Sequence, residues 1–384
     1  VGLADARGVR APRAVTAARR DQPGISSARA LYDRAIVIDM HNDLPTKLLD
    51  EDYDPAIRHP AGVGAGLGHT DLPRLRESGI TAVFLAAWVD ATFARRTPDG
   101  SHARALAALD AARAFADRHP DALQLATHAA DVRAAKASGR IAIFLGVEGG
   151  HAIEDSLDKL RALYARGARY LTLTWNNGNA WAGSSVGVDD TSRGGLTAFG
   201  REVIAEMNRL GMLVDVSHAS EETVADVLAV STAPIIASHS SARALADHPR
   251  NLHDAQLRAI AAAGGVINVN FYSRFIDPVF RAAVDAGVPD PPRTPLSVLI
   301  DHIAHVAAVA GVAHTGLGSD FDGISALPEG IDDVTGFPRI ADALLARGFA
   351  ESDVIAILGG NMLALLDRTL RPSPSGATDP SRSG

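Results

Sequence analysis

Apolar residues along this chain gather into short runs, each closed by polar or glycine-rich residues and followed by a longer amphipathic stretch. Eight such runs cover residues 35–40, 82–89, 141–147, 170–174, 213–217, 234–238, 265–270 and 315–318. They are rich in Ile, Val and Leu on both faces, as strands of a buried parallel sheet are. Between them the pattern predicts helices over 101–119, 156–166, 197–210, 220–230, 253–263 and 295–310. Eightfold alternation of strand and helix points to an α/β protein with a (β/α)8 TIM barrel, with an open doubly wound sheet as the alternative. Residues 50–67 and 273–295, rich in Gly, Pro and Asp, interrupt the rhythm. In a barrel they follow the first and seventh strands, so both are expected to be long loops on the catalytic face.

Composition narrows the partners. With 47% hydrophobic and 21% charged residues in 384, the chain can bury a large core. Its 37 Lys and Arg against 45 Asp and Glu leave no basic field for a phosphate backbone, so nucleic acid is not an expected partner. The absence of cysteine excludes disulfides, thiolate nucleophiles and Cys-based metal sites, and confines any metal to His, Asp and Glu. No apolar stretch reaches the roughly 18 residues of a transmembrane helix. Residues 1–24 carry Arg7, Arg10, Arg13, Arg19 and Arg20 without the apolar run of a secretory signal, and read as a flexible arm. Residues 371–384 read as a disordered polar tail with no hydrophobic anchor segment, leaving 25–370 as one catalytic barrel. The expected location is cytoplasmic, with secretion left open should a leader be missing.

Metal-binding side chains recur at the carboxyl ends of the runs. His41 and Asp43 follow the first, two apart and so on one face of an extended chain. Glu148 ends the third run among glycines, where it could bridge two ions. His218 and His239 end the fifth and sixth, and Asp320 the eighth. Any one of these is ordinarily a polar rim residue, but six on five strand ends of one barrel form a pattern. His41, Asp43 and Glu148 make one three-ligand set; Glu148, His218 and His239 make another sharing the carboxylate. Three N and O ligands leave zinc an open position, and water held between two such ions is acidified into a nucleophile. The reaction class this implies is hydrolysis, with Asp320 moving the proton from the attacking water to the leaving amine. His302 and His305, at i, i+3 on a predicted helix, are expected to lie on an exposed face.

Several motifs in order carry a family resemblance: His41-Asn42-Asp43-Leu44-Pro45, His69-Thr70-Asp71-Leu72-Pro73-Arg74-Leu75, Glu148-Gly149-Gly150-His151, Tyr170-Leu171-Thr172-Leu173-Thr174, Ser217-His218, Ser238-His239-Ser240-Ser241, Arg250-Asn251-Leu252 and Asp320-Phe321-Asp322-Gly323. From about Ile36 to Asn361 the chain resembles the membrane or renal dipeptidases, zinc metallopeptidases of the amidohydrolase superfamily. The resemblance implies two Zn2+ per chain on His41, Asp43, Glu148, His218 and His239, although other divalent ions suit the same donors. It implies Asp320 as the acid/base and Arg250 as the group that binds the free carboxylate of a small dipeptide. Tyr272 matches a position near the substrate, His151 and Asp322 match supporting positions, and a homodimer is implied. Many relatives carry a histidine directly after the Thr-Leu-Thr of the fourth run, where it contacts the substrate carbonyl; here Trp175 stands in its place. The expected activity is dipeptide hydrolysis, with the stereochemistry of the C-terminal residue left open. Hydrolysis of another small amide, an N-acyl amino acid or a β-lactam, is the alternative, and a non-catalytic metal-binding barrel a third reading.

Overall fold

The computed structural model of the chain describes residues 25–93, 100–187 and 194–370. The arm at 1–24 and the tail at 371–384 lie outside those residues. Among the described residues nine strands form one parallel sheet: β1 (Ile38–Asn42), β2 (Ala82–Trp88), β3 (Leu123–Leu125), β4 (Ile141–Glu148), β5 (Ala168–Thr172), β6 (Leu213–Asp215), β7 (Ile236–Ala237), β8 (Val266–Val269) and β9 (Thr315–Leu317). Their order is β1-β2-β4-β5-β6-β7-β8-β9, with β3 paired to β4 alone. Each of the eight runs overlaps one strand of the circuit. The circuit closes at a β9–β1 seam, where Asn42 bridges Phe321, the Asp43 N–H donates to the Phe321 carbonyl at 2.8 Å, and the Asp320 N–H to that of His41 at 3.0 Å. The result is the expected (β/α)8 barrel.

Strand β3 escaped the periodicity because three residues are too few to show one. It pairs with Ile141–Ile143 at the base of β4, below the level at which β5 joins opposite Leu145. Helices follow their caps. Ser220 accepts the Thr223 N–H to start Glu221–Val230, which has Glu221 and Glu222 in its positive first turn. Thr197 likewise starts Ala198–Leu210, which turns Val203, Ile204 and Met207 to the core and ends at Gly211, whose φ of 73° suits glycine. The expected long loop at 273–295 is in part helical, with helices Ser273–Ile276 and Pro278–Asp285. Asp277 accepts the N–H groups of Val279 and Phe280, and Pro278 takes the first helical position, so residues that read as loop punctuation are a helix start. Of the segment 50–67, Asp50 ends a helix (Leu44–Asp50) and the rest is irregular, as expected.

Inside the barrel, Ile38, Met40, Phe84, Phe144, Tyr170, Leu213, Ile236 and Val266 form one apolar layer, closed at the base by Met362, Leu365 and Leu366. Gly146 makes room in it: a Cβ there would lie 2.1 Å from the ring of Tyr170. Above this layer the pairing of β1 slips. Asp39 faces Val83 but Asn42 faces Leu85, so three steps on β1 answer two on β2. This bulge turns His41 inward although its neighbour Met40 already points in. The apparent same-face geometry of His41 and Asp43 therefore comes from a bulge followed by a helix cap, not from an extended strand.

Candidate metal centre and its cavity

Every candidate ligand lies at the carboxyl end of a barrel strand and is buried. Glu148, the last residue of β4, stands between two groups. Its Oε2 is 3.4 Å from His41 Nε2, which is itself 3.4 Å from Asp43 Oδ2. Its Oε1 lies 2.8 Å from His218 Nε2 and 3.4 Å from His239 Nε2. The two three-ligand sets read from the sequence are thus assembled, with one carboxylate oxygen turned to each.

The protons around these rings decide whether a cation fits. His218 Nδ1 faces Asn176 Oδ1 at 3.2 Å, an acceptor, so the hydrogen is on Nδ1 and the lone pair on Nε2. His239 Nδ1 faces the Ser238 hydroxyl at 2.7 Å, whose proton is given to Asp215. Burial together with Arg250 holds His218 down to about 4, and burial, with His41 next, holds His239 well below its usual value, so both rings are neutral. Two imidazole lone pairs 3.0 Å apart then converge with a carboxylate oxygen and no donor among them. Such an arrangement is repulsive unless a cation sits between. On the other side, His41 Nε2 and Asp43 Oδ1 are buried without a hydrogen-bond partner. Burial alone would depress His41, but the carboxylates of Glu148 and Asp43 outweigh it and raise this imidazole well above its normal range. A proton there answers a shortage of positive charge. The donor set of both halves fits divalent ions.

Asp320 sits beside this centre, its Oδ2 accepting from Asn270 Nδ2 at 2.8 Å, within reach of His41 and His239. Burial, opposed by His41 and reinforced by the carboxylates of Asp43 and Glu148, pushes it up to about 8. Asp320 and His218 have φ of 65° and 67°, a left-handed conformation costing non-glycine residues on the order of 1 kcal/mol each. The seam bond from the Asp320 N–H holds one, and Ser185, donating its N–H to the His218 carbonyl at 2.7 Å, holds the other.

Above the ligands opens a cavity of about 360 Å³. Asp43, Glu148, His218 and Asp320 form its polar floor, and aromatic pairs its walls. Trp175 meets Trp88 edge to face at 5.1 Å, and Tyr272 meets Phe275 at 4.7 Å. Tyr272 therefore belongs to the cavity rather than the barrel core, its hydroxyl 3.2 Å from that of Ser325. Arg250 is buried just outside the wall, its guanidinium 5.4 Å from the Phe275 ring centre and its Nε without a partner. One Nη bonds the His239 carbonyl at 3.3 Å. Of the supporting candidates, His151 bonds the Val89 carbonyl at 2.9 Å and Asp322 accepts the His69 N–H at 2.7 Å, which pins the 69–75 segment to the end of β9.

Residues the sequence reading passed over hold the ligands in place: Tyr170, whose hydroxyl is 2.9 Å from His41 Nδ1; Asp39, which ties Ser319 across the seam; and Asp215 with Ser238 under His239. An ionisable residue inside an apolar run, as in Ile38-Asp39-Met40 and Val214-Asp215-Val216, was the available signal. His302 corrects an expectation. It is wholly buried, accepting the Ala242 N–H at 3.1 Å and bonding the Ile276 carbonyl at 2.9 Å, because its side of the helix packs on the loops after β7 and β8. Its neighbour His305 is partly exposed and pairs with Asp254 at 2.7 Å.

The profile of the membrane dipeptidase family, peptidase family M19, matches residues 25–371. The chain belongs to that family. This metallodipeptidase is similar to dipeptidase AC, a family M19 metallopeptidase, at 30% identity and a TM-score of 0.76, covering 88% of this chain and 99% of that one. It is also similar to a metallopeptidase from Rhodobacter sphaeroides, solved with a phosphinate mimic of the dipeptide L-Ala-D-Ala, at 30% identity and a TM-score of 0.74 over 87% and 99% of the two chains. The probable dipeptidase PvdM from Pseudomonas aeruginosa shares the fold, at 24% identity and a TM-score of 0.78 over 90% and 98%. Among the described residues no helix is long and apolar enough to cross a membrane.

Proposed function

We propose that this metallodipeptidase binds two divalent ions, zinc by preference of its N and O donors, and hydrolyses small dipeptides that carry a free carboxylate. The observation that carries the reading is the convergence of His218 Nε2, His239 Nε2 and Glu148 Oε1 beside the second set of His41, Asp43 and Glu148 Oε2. Ions held there would supply Lewis acidity, polarising a carbonyl and acidifying water. The remaining work falls to side chains. With the charge of Asp43 and Glu148 offset by such ions, Asp320 would ionise; it could then take a proton from the attacking water as oxygen bonds to the scissile carbon, and return it to the nitrogen as the C–N bond breaks. Asn270 holds the Asp320 carboxyl in register through its 2.8 Å bond. Arg250, whose buried Nε lacks a partner, supplies positive charge behind Phe275 for the substrate carboxylate.

Trp88 and Trp175 line the cavity on the side of β2 and β5 and select the substrate side chain. With Trp175 in place of histidine, an indole N–H is the one polar group that side chain can present, and the wall is otherwise apolar. The bound dipeptide mimic of the Rhodobacter sphaeroides relative supports a D-residue at the C-terminal position. The test is metal analysis of the purified protein alongside turnover of L,L and L,D dipeptides and their N-acylated forms. About two ions per chain and a preference for free-amine dipeptides are expected. Full activity with a single ion, or faster turnover of acylated substrates, would overturn the proposal.

A further inference from the structure

Asp215 is fully buried at the end of β6, and each of its oxygens is taken by two donors. Oδ1 accepts the N–H groups of Ser217 at 3.0 Å and Ser238 at 2.8 Å, and Oδ2 accepts the hydroxyls of Thr172 and Ser238, each at 2.5 Å. An ionised carboxylate can only accept, so the single hydroxyl proton of Ser238 is committed to Asp215. The Ser238 oxygen is also 2.7 Å from His239 Nδ1, and with its own proton spent it must accept from that nitrogen. The hydrogen of the His239 ring is thereby placed on Nδ1, and Nε2 is left as a bare lone pair towards Glu148.

We propose that Asp215 and Ser238 are positioning residues that fix the tautomer of His239, and through it the affinity of the His218–His239–Glu148 half of the centre for its ion. The inference rests on the metal reading above, and it makes a prediction that a packing role does not. In Asp215→Asn the two backbone N–H groups keep the amide oxygen where Oδ1 was, so the amide nitrogen occupies the Oδ2 position and donates to Ser238. The serine proton then turns to His239 Nδ1, the ring hydrogen moves to Nε2, and the ligand atom is blocked. Ser238→Ala removes the relay altogether and leaves the ring free to take either tautomer when an ion arrives.

Titration calorimetry of metal-free protein with Zn2+ reads the result. Asp215→Asn should weaken the second ion by about 10- to 100-fold, the usual effect of losing a ligand's supporting partner. Ser238→Ala should weaken it less, and the double variant should return to the Ser238→Ala value, because without the serine the asparagine has no route to the ring. A double variant weaker than Asp215→Asn alone would overturn the proposal. Should Asp215→Asn fail to fold, 15N NMR of histidine-labelled, metal-free wild type decides: hydrogen on Nδ1 of His239 supports the relay, and hydrogen on Nε2 refutes it. Wild-type protein that takes up fewer than two ions would sink the metal reading instead, and the NMR result would still decide the relay.

Discussion

The buried imidazole of His302 should make this barrel lose stability on mild acidification. Its Nδ1 accepts the Ala242 N–H and its Nε2 hydrogen goes to the Ile276 carbonyl, so a second ring proton would confront an N–H and break the first bond. Burial pushes the ring down to about 4, against an ordinary 6.5. Because the folded value lies below the unfolded one, the unfolded chain binds more protons between them. Stability present above pH 6.5 is therefore lost as pH falls towards 4. At about 1.4 kcal/mol per unit the loss is about 2 kcal/mol by pH 5 and about 3 kcal/mol by pH 4. His302→Leu does not titrate, and by leaving the Ala242 N–H unsatisfied it should cost about 1–3 kcal/mol at pH 7. Urea unfolding of both proteins from pH 7 to pH 4.5 is the assay, since all other titrating groups are common to the pair. The gap between wild type and variant should narrow across this range and close or invert at its acid end. A gap constant with pH would show that His302 is not held neutral by its surroundings.

Asp320→Asn should retain its metal and lose about 10²- to 10⁴-fold in kcat, the usual worth of an acid–base group; near-normal turnover would remove Asp320 from the reaction. Arg250→Ala should raise KM, and amidating the C-terminus of the substrate should weaken wild-type turnover to match; equal rates on free and amidated dipeptides would assign the guanidinium another task. Trp175→Ala should relax the ranking of dipeptides that differ only in side chain, and Trp175→His should keep hydrolysis but reorder them. An unchanged ranking in both, with lower thermal stability, would make the indole a packing residue.

The barrel circuit and the five candidate ligands could be read from the chain because each ligand is a polar residue at the end of an apolar run, a one-dimensional pattern. What stayed hidden depends on partners distant in sequence. Asp39 acquires its role from Ser319, 280 residues on, and Asp215 from Thr172 at the end of β5 and Ser238 just past β7. Tyr170 sits in an apolar run and reads as core, which it is, yet its hydroxyl reaches His41. His302 and His305 have the same helical spacing but opposite surroundings, set by segments after β7 and β8 that no local pattern reveals. The β1 bulge shows only in register, never in composition.

The β9–β1 seam gives the centre a place in time during synthesis. All five candidate ligands have been made once His239 is added, yet the bonds that orient His41 and Asp43 come from Ser319, Asp320 and Phe321. A growing chain that stops short of Ser319 carries the ligands on an open sheet, with Asp39 lacking its serine and the bulge unsupported on one side. Closing so long a loop is entropically costly and is repaid only when the last strand docks. Ion capture should then await completion of the barrel, and a fragment ending before β9 is expected to hold metal far more weakly than the full chain.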